Sequence, residues 1–213
     1  MPEALRDLFP AGAVRAGSSV GVQGAASTSL LLALAAAAAG EEGWCALAGF
    51  ENLGLRCALQ AGLAAERLVL SPVAAAQDAA VLSALIDGMG VVVLGPDLEL
   101  SAALWRQLTD RARTRDCLLL AASPPGRSDL RITAEGGAWI GLGVGTGRLR
   151  QRRVSISAEG RGIAQERHVQ VLMPQVTSLL AAEKAARKHA VSGQEAAALQ
   201  SASVIALHGR RAG

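Results

Sequence analysis

Short, wholly apolar runs recur along this chain with helix-length stretches between them, and no other feature limits its fold so tightly. Val91-Val92-Val93-Leu94 is the clearest of these runs. β-Branched residues with no polar alternation suit a strand covered on both faces. Trp44-Cys45-Ala46-Leu47-Ala48 and Cys117 to Ala121 are apolar runs too, while Arg67 to Ser71 and Ser18 to Gln23 form further short strands. Helices are expected at 28–39, 52–65, 74–87 and 100–115. The first is Ala- and Leu-rich and apolar on every face, so it should be buried. Strands alternating with helices make βαβ units, whose right-handed crossovers build a parallel sheet with helices on both faces.

After Pro124-Pro125-Gly126 the rhythm changes. Leu130–Thr133, Ala138–Leu142, Arg153–Ser157 and His168–Leu172 have strand character with no helix between them, which predicts antiparallel hairpins added at one edge of the sheet. The expected organisation is a core domain over 1–174, closed by Pro174, and an Ala-rich helical tail over 175–213. Apolar tail residues such as Val176, Leu179 and Leu180 either cover the core or pair with a partner helix or a second copy.

Composition narrows the classes further. With 213 residues, 51% hydrophobic and 18% charged, the chain can bury a sizeable core. A net charge of +3 permits weak contact with nucleic acid without arguing for it. Cys45, Cys57 and Cys117 contain no CxxC and are odd in number, which fits a reducing compartment better than a disulfide framework. His168, His189 and His208 lack metal-ligand spacing, so no metal site is expected. The longest apolar run, Leu30–Ala39, falls short of the ~20 residues a membrane span needs. No basic start followed by an apolar segment marks a secretion signal, and the expected location is cytoplasmic.

The segment Gly21-Val22-Gln23-Gly24-Ala25-Ala26-Ser27-Thr28 joins the first strand to the first long helix, where a phosphate-binding loop would sit. Such a loop needs glycines that turn backbone N–H groups inward, a lysine for the phosphates and a Ser/Thr hydroxyl for Mg²⁺. Against GxxxxGK[ST], Gly21 and Thr28 match, Ala26 replaces the second glycine and Ser27 replaces the lysine. No lysine precedes Lys184, so no shift of the alignment supplies one. The strand that should end in a metal-binding aspartate ends in Leu94, with Asp97 lying beyond Pro96. ATP hydrolysis is therefore not expected and no cofactor is implied, although weak ATP/Mg binding at the helix N-terminus stays open.

Together these residues resemble the RecA family. From about residue 18 to 57 the order is strand, loop, Thr-Ser-Leu-Leu-Leu helix, then Cys45-Ala46-Leu47-Ala48-Gly49-Phe50-Glu51. The resemblance implies a RecA-like P-loop three-layer fold, with Glu51 at the place of the water-activating glutamate and Thr28 at that of the magnesium-binding hydroxyl. Leu94 falls at the place of the metal-binding aspartate. The loops that bind DNA in RecA are reduced here to Gly95–Leu100 and Ser123–Asp129.

Ala138-Trp139-Ile140-Gly141-Leu142-Gly143 and Gly147-Arg148-Leu149-Arg150-Gln151-Arg152-Arg153 resemble the degenerate RecA-like ImuA and SulA-related group, in its actinobacterial ImuA-type branch. That resemblance implies a non-catalytic accessory protein of error-prone translesion synthesis. Its partners would be an ImuB-type inactive Y-family polymerase homologue and a DnaE-type polymerase. A residual or oligomer-dependent ATPase, a SulA-like inhibitor of cell division and a DNA-binding module are the rival readings.

At single residues two readings stand side by side. Glu51 is either a vestigial catalytic acid or a solvated acid at a strand end. Arg148, Arg150, Arg152 and Arg153 either contact DNA or an acidic partner, or form a solvated hairpin face. Strand alternation would put Arg153 on the face opposite the other three. Trp105 and Trp139 are expected to pack rather than recognise.

Overall fold

The computed structural model describes residues 3–10, 12–71, 78–142 and 147–173; the tail expected over 175–213 lies outside them. Eight strands form one sheet in the order β3-β2-β4-β5-β1-β6-β7-β8. β1 (Ser19–Gln23), β2 (Cys45–Ala48), β3 (Leu68–Ser71), β4 (Val91–Leu94) and β5 (Leu118–Ala122) run parallel, each near an expected position. β6 (Leu130–Leu142) continues parallel beside β1, and β7 (Gly147–Gly160) and β8 (Arg167–Met173) follow as antiparallel neighbours.

The apolar runs have a direct physical cause in this arrangement. Alternate side chains of a strand point to opposite faces, and here each face has its own core. Val91 and Val93 join Leu30, Leu31 and Leu34 on the side of α2 (Ser27–Ala39) and α3 (Leu55–Ala61). Val92 and Leu94 join Leu82, Ile86, Trp105 and Leu108 on the side of α4 (Asp78–Gly88) and α5 (Ala102–Thr114). A strand covered on both sides needs no polar positions, hence the unbroken run. Trp105 is fully buried, and its indole N–H donates to the Arg127 carbonyl at 3.0 Å, tying α5 to the loop after β5.

Several expectations are revised. The helix expected at 52–65 is shorter, because Gly62 at φ 106° ends α3 and a 3-10 turn at Ala65–Arg67 follows. The separate strands expected at 130–133 and 138–142 are one continuous β6, with register irregularities that absorb Gly136-Gly137. Their partner β7 starts before the expected Arg153. A short helix α1 (Glu3–Arg6) was not foreseen. With Leu5, Leu8 and Phe9 it enters the α2-side core, and Arg167 of β8 donates to the carbonyls of Asp7 and Phe9 at 2.9 and 3.0 Å.

Candidate functional site

The segment in the place of a phosphate loop is a tight turn. β1 ends at Gln23 and α2 starts at Ser27, leaving Gly24-Ala25-Ala26 to reverse the chain. Gly24 holds φ 95°, and a Cβ there would sit 2.5 Å from the Ala134 carbonyl oxygen of β6. That carbonyl accepts the Ala26 N–H at 3.0 Å, while the Ser27 N–H donates to the Gly24 carbonyl at 3.1 Å. A nest binds an anion with inward-turned N–H groups; here two of them are committed to backbone carbonyls. Ala26 is 3% exposed and packs into the core. The Ser27 and Thr28 hydroxyls make no hydrogen bond among the described residues, and both side chains are half-buried.

Gly21, aligned with the first glycine of the pattern, lies inside β1 rather than in the turn. A Cβ there would stand 2.9 Å from Pro124 Cγ and 3.0 Å from Ser128 Oγ. This glycine leaves room for the loop after β5 and has no part in a nest.

The acids sit farther along the same rim, at the ends of β2 and β4, with β5 between them and β1. Leu94 is fully buried in the α4–α5 core, where an aspartate would be an uncompensated charge. Asp97 is turned to a structural task. Its carboxylate accepts the Glu51 N–H at 2.8 Å, and its own N–H donates to the Gly49 carbonyl at 3.2 Å. The Gly95 N–H donates to the Ala48 carbonyl at 2.7 Å, and Gly49 at φ 70° leaves room for Leu98. Glu51 is thus held by its backbone while its side chain is exposed to solvent.

The basic hairpin divides. Trp139 and Arg152 are directly paired across β6 and β7, and the Arg152 guanidinium stacks 5.6 Å from the indole centroid. A Cβ at Gly136 would collide with that guanidinium, so the glycine lets it lie flat on the strand. Trp139 remains 49% exposed, against the expectation of a packed residue. Arg153 is exposed and pairs across to Leu172 on β8. Arg148 and Arg150 are in β7, with side chains outside the described residues.

Burial and ion pairing shift several other titratable groups. Burial pushes the Cys45 thiol up to about 12, with Cys117 adding to the effect, and burial raises Cys117 to about 12 as well. Cys57 is exposed. Asp87 on α4 is held below the usual carboxylate range by hydrogen bonds from Arg111 on α5 and by the charges of Arg111 and of Arg115 just past its end. Among the described residues no group of three or more His, Cys, Asp and Glu side chains gathers as a metal centre. No described helix is long and apolar enough to cross a membrane.

What sequence reasoning missed is non-local. Ala134 is an ordinary strand alanine until β6 pairs with β1, and no spacing rule marks it. Asp97 had a visible cue, a Gly-Pro-Asp turn directly after a buried strand, where an acid favours backbone N–H groups.

The strand order, with β1 between β5 and β6 and α2 leaving its C-terminal end, defines a RecA-like α/β fold. The crystal structure of the RadB recombinase shares it, with a TM-score of 0.56 at 13% identity over 80% of this chain and 92% of that one. SulA from Pseudomonas aeruginosa aligns with a TM-score of 0.41 at 22% identity, covering 50% of this chain and 96% of that one. The model of the MT3502 N-terminal domain matches residues 7–126, and the chain belongs to that family. The uncharacterized protein Rv3395c of Mycobacterium tuberculosis is 36% identical over 121 residues, 56% of this chain and 59% of that relative's length.

Proposed function

We propose that this chain is a RecA-like protein without ATP turnover that acts through protein contacts in DNA-damage tolerance. One observation carries the first half: the Ala134 carbonyl takes the Ala26 N–H where a nucleotide phosphate would have to bind. Ser27 in place of the lysine, buried Leu94, and Asp97 committed to the Glu51 N–H all support the same reading. Opening the turn would break the hydrogen bond to β6 without supplying any cation to the phosphates.

The second half rests on the resemblance of the hairpin segments to the ImuA-type branch. On that reading the partners are an ImuB-type inactive polymerase homologue and a DnaE-type polymerase. Half-exposed Trp139, with the Arg152 guanidinium stacked on its indole, gives the hairpin an aromatic and arginine pair open to a partner. Aromatic and arginine side chains are the usual anchors of protein interfaces.

Calorimetric titration with ATP and Mg²⁺ beside a phosphate-release assay tests the first claim, with no heat of binding and no release expected. Turnover that disappears in Glu51→Gln would overturn it. Co-purification with an inactive Y-family polymerase homologue tests the second, and Trp139→Ala should weaken capture at least tenfold. Capture by DNA alone, weakening steeply with salt and lost in Arg152→Glu/Arg153→Glu, would replace the adaptor with a DNA-binding module.

A further inference from the structure

One concavity of this fold lies away from the phosphate-loop turn, at the opposite rim of the sheet. A cavity of about 400 Å³ opens where the chain enters β1 and β6. Leu130, Gly17 and Asp129 line it together with Arg15, Arg113 and Arg161. Pro10 and Ala13 supply part of an apolar wall.

The floor is built firmly. Asp129 Oδ2 accepts from both the backbone N–H and the hydroxyl of Ser19 at 2.9 Å, and the Asp129 N–H returns a bond to the Ser19 oxygen at 3.0 Å. Ser19 is 3% exposed, so this exchange is an interior one. The Arg161 N–H donates to the Asp129 carbonyl at 2.8 Å, which fixes the backbone that carries the Arg161 guanidinium.

Guanidiniums outnumber carboxylates in the lining itself, and Asp116 Oδ1 stands just behind Gly17, 3.5 Å from where its Cβ would be. Arg113 stands 3.6 Å from Asp129 Oδ1 and 3.5 Å from Asp110. The Arg15 and Arg161 side chains have no hydrogen bond or ion pair among the described residues. Asp129 is thus the lone carboxylate in a lining that holds three guanidiniums. Guanidinium forks match the paired oxygens of a phosphate or a carboxylate.

We propose that this cavity is a binding site for a small organic anion, a phosphate monoester or a carboxylate carried on an apolar body, held by Arg15 and Arg161. The apolar body lies along Pro10, Ala13 and Leu130, and the anionic head meets the two free guanidiniums, with Arg113 adding charge from α5. The site owes nothing to the phosphate-loop turn and is independent of the proposed adaptor role.

Calorimetric titration of the full chain at low salt, with phenyl phosphate, benzoate, inorganic phosphate and benzyl alcohol as probes, tests this. One equivalent of phenyl phosphate or benzoate should bind, and which binds tighter tells phosphate from carboxylate as the natural head group. Inorganic phosphate and benzyl alcohol should each bind at least tenfold more weakly. Arg15→Ala and Arg161→Ala should each lower affinity about tenfold, with Arg161→Lys keeping part of it. Both arginines are exposed, and unchanged circular dichroism checks that the variants fold. Absence of binding by both aryl anions at millimolar concentration overturns the proposal. So does binding that ignores both alanine variants, or inorganic phosphate binding as tightly as phenyl phosphate, since the apolar wall would then contribute nothing.

Discussion

Gly24 separates two physical accounts of the turn before α2. In a working phosphate loop a glycine there serves the ligand; here it serves the fold, at φ 95° and pressed against the Ala134 carbonyl. A side chain in that region of φ costs ~1–2 kcal/mol, and the collision adds to it. Gly24→Ala should therefore destabilise the protein by about 2 kcal/mol or more, read as a lower urea midpoint with an unchanged slope. An unaltered midpoint would refute the closed turn. The cysteines make a second contrast at this scale. With Cys45 and Cys117 raised to about 12 by burial, alkylation of native protein at pH 8 should modify Cys57 alone. Mass spectrometry should find the other two labelled only after unfolding.

Elements meet at the ends of β2 and β4, and there the two acids should behave oppositely. Asp97→Ala removes the acceptor of the Glu51 N–H, a bond to a charged group worth about 1.5–3 kcal/mol where shielded and less at this exposed site. Glu51→Gln should stay within about 0.5 kcal/mol. Urea midpoints of the pair decide whether Asp97 is a brace or a displaced metal ligand. Between α4 and α5, Asp87 ties two helices through Arg111 and Arg115. Its pKa is lowered in the fold, so the stability it gives is present above the unfolded carboxylate value and is lost as pH falls through the folded one. Asp87→Asn should lower the urea midpoint at pH 7 and lower it less as the pH falls below the unfolded carboxylate value, the loss being small because the pair is exposed.

Strands β2, β4 and β5 were legible because their burial on two sides leaves an unbroken apolar signature, as in Val91–Leu94. The β6–β7 hairpin was legible only in pieces. Residues 130–133 and 138–142 were expected as separate strands, whereas Gly136-Gly137 between them is a bulged continuation that admits the Arg152 side chain. Ser27 and Leu94 at the places of a phosphate-loop lysine and a metal-binding aspartate were plain in the sequence. Closure of the turn was not, because it depends on a carbonyl supplied by a strand that the chain reaches only at residue 134.

At the scale of the molecule, α1 and β8 close the α2-side core together. Arg167→Ala removes two hydrogen bonds to the carbonyls of Asp7 and Phe9 and should cost about 1–3 kcal/mol. Hydrogen exchange should then quicken at Leu8 and Phe9, whose amides bond within the same short segment; unchanged protection there would count against the tie. The position of β1 carries a different consequence. Ser19 pairs with Leu119 on one side and Val20 with Leu130 on the other, so this interior strand is the first made and waits about a hundred residues for both its neighbours. On a ribosome adding residues at the usual pace, β1 and the apolar helix after it wait roughly 5–20 s for their partners. Nascent chains of this kind depend on shelter from chaperones through that interval, and their yield in a cell is set by the race between synthesis and aggregation.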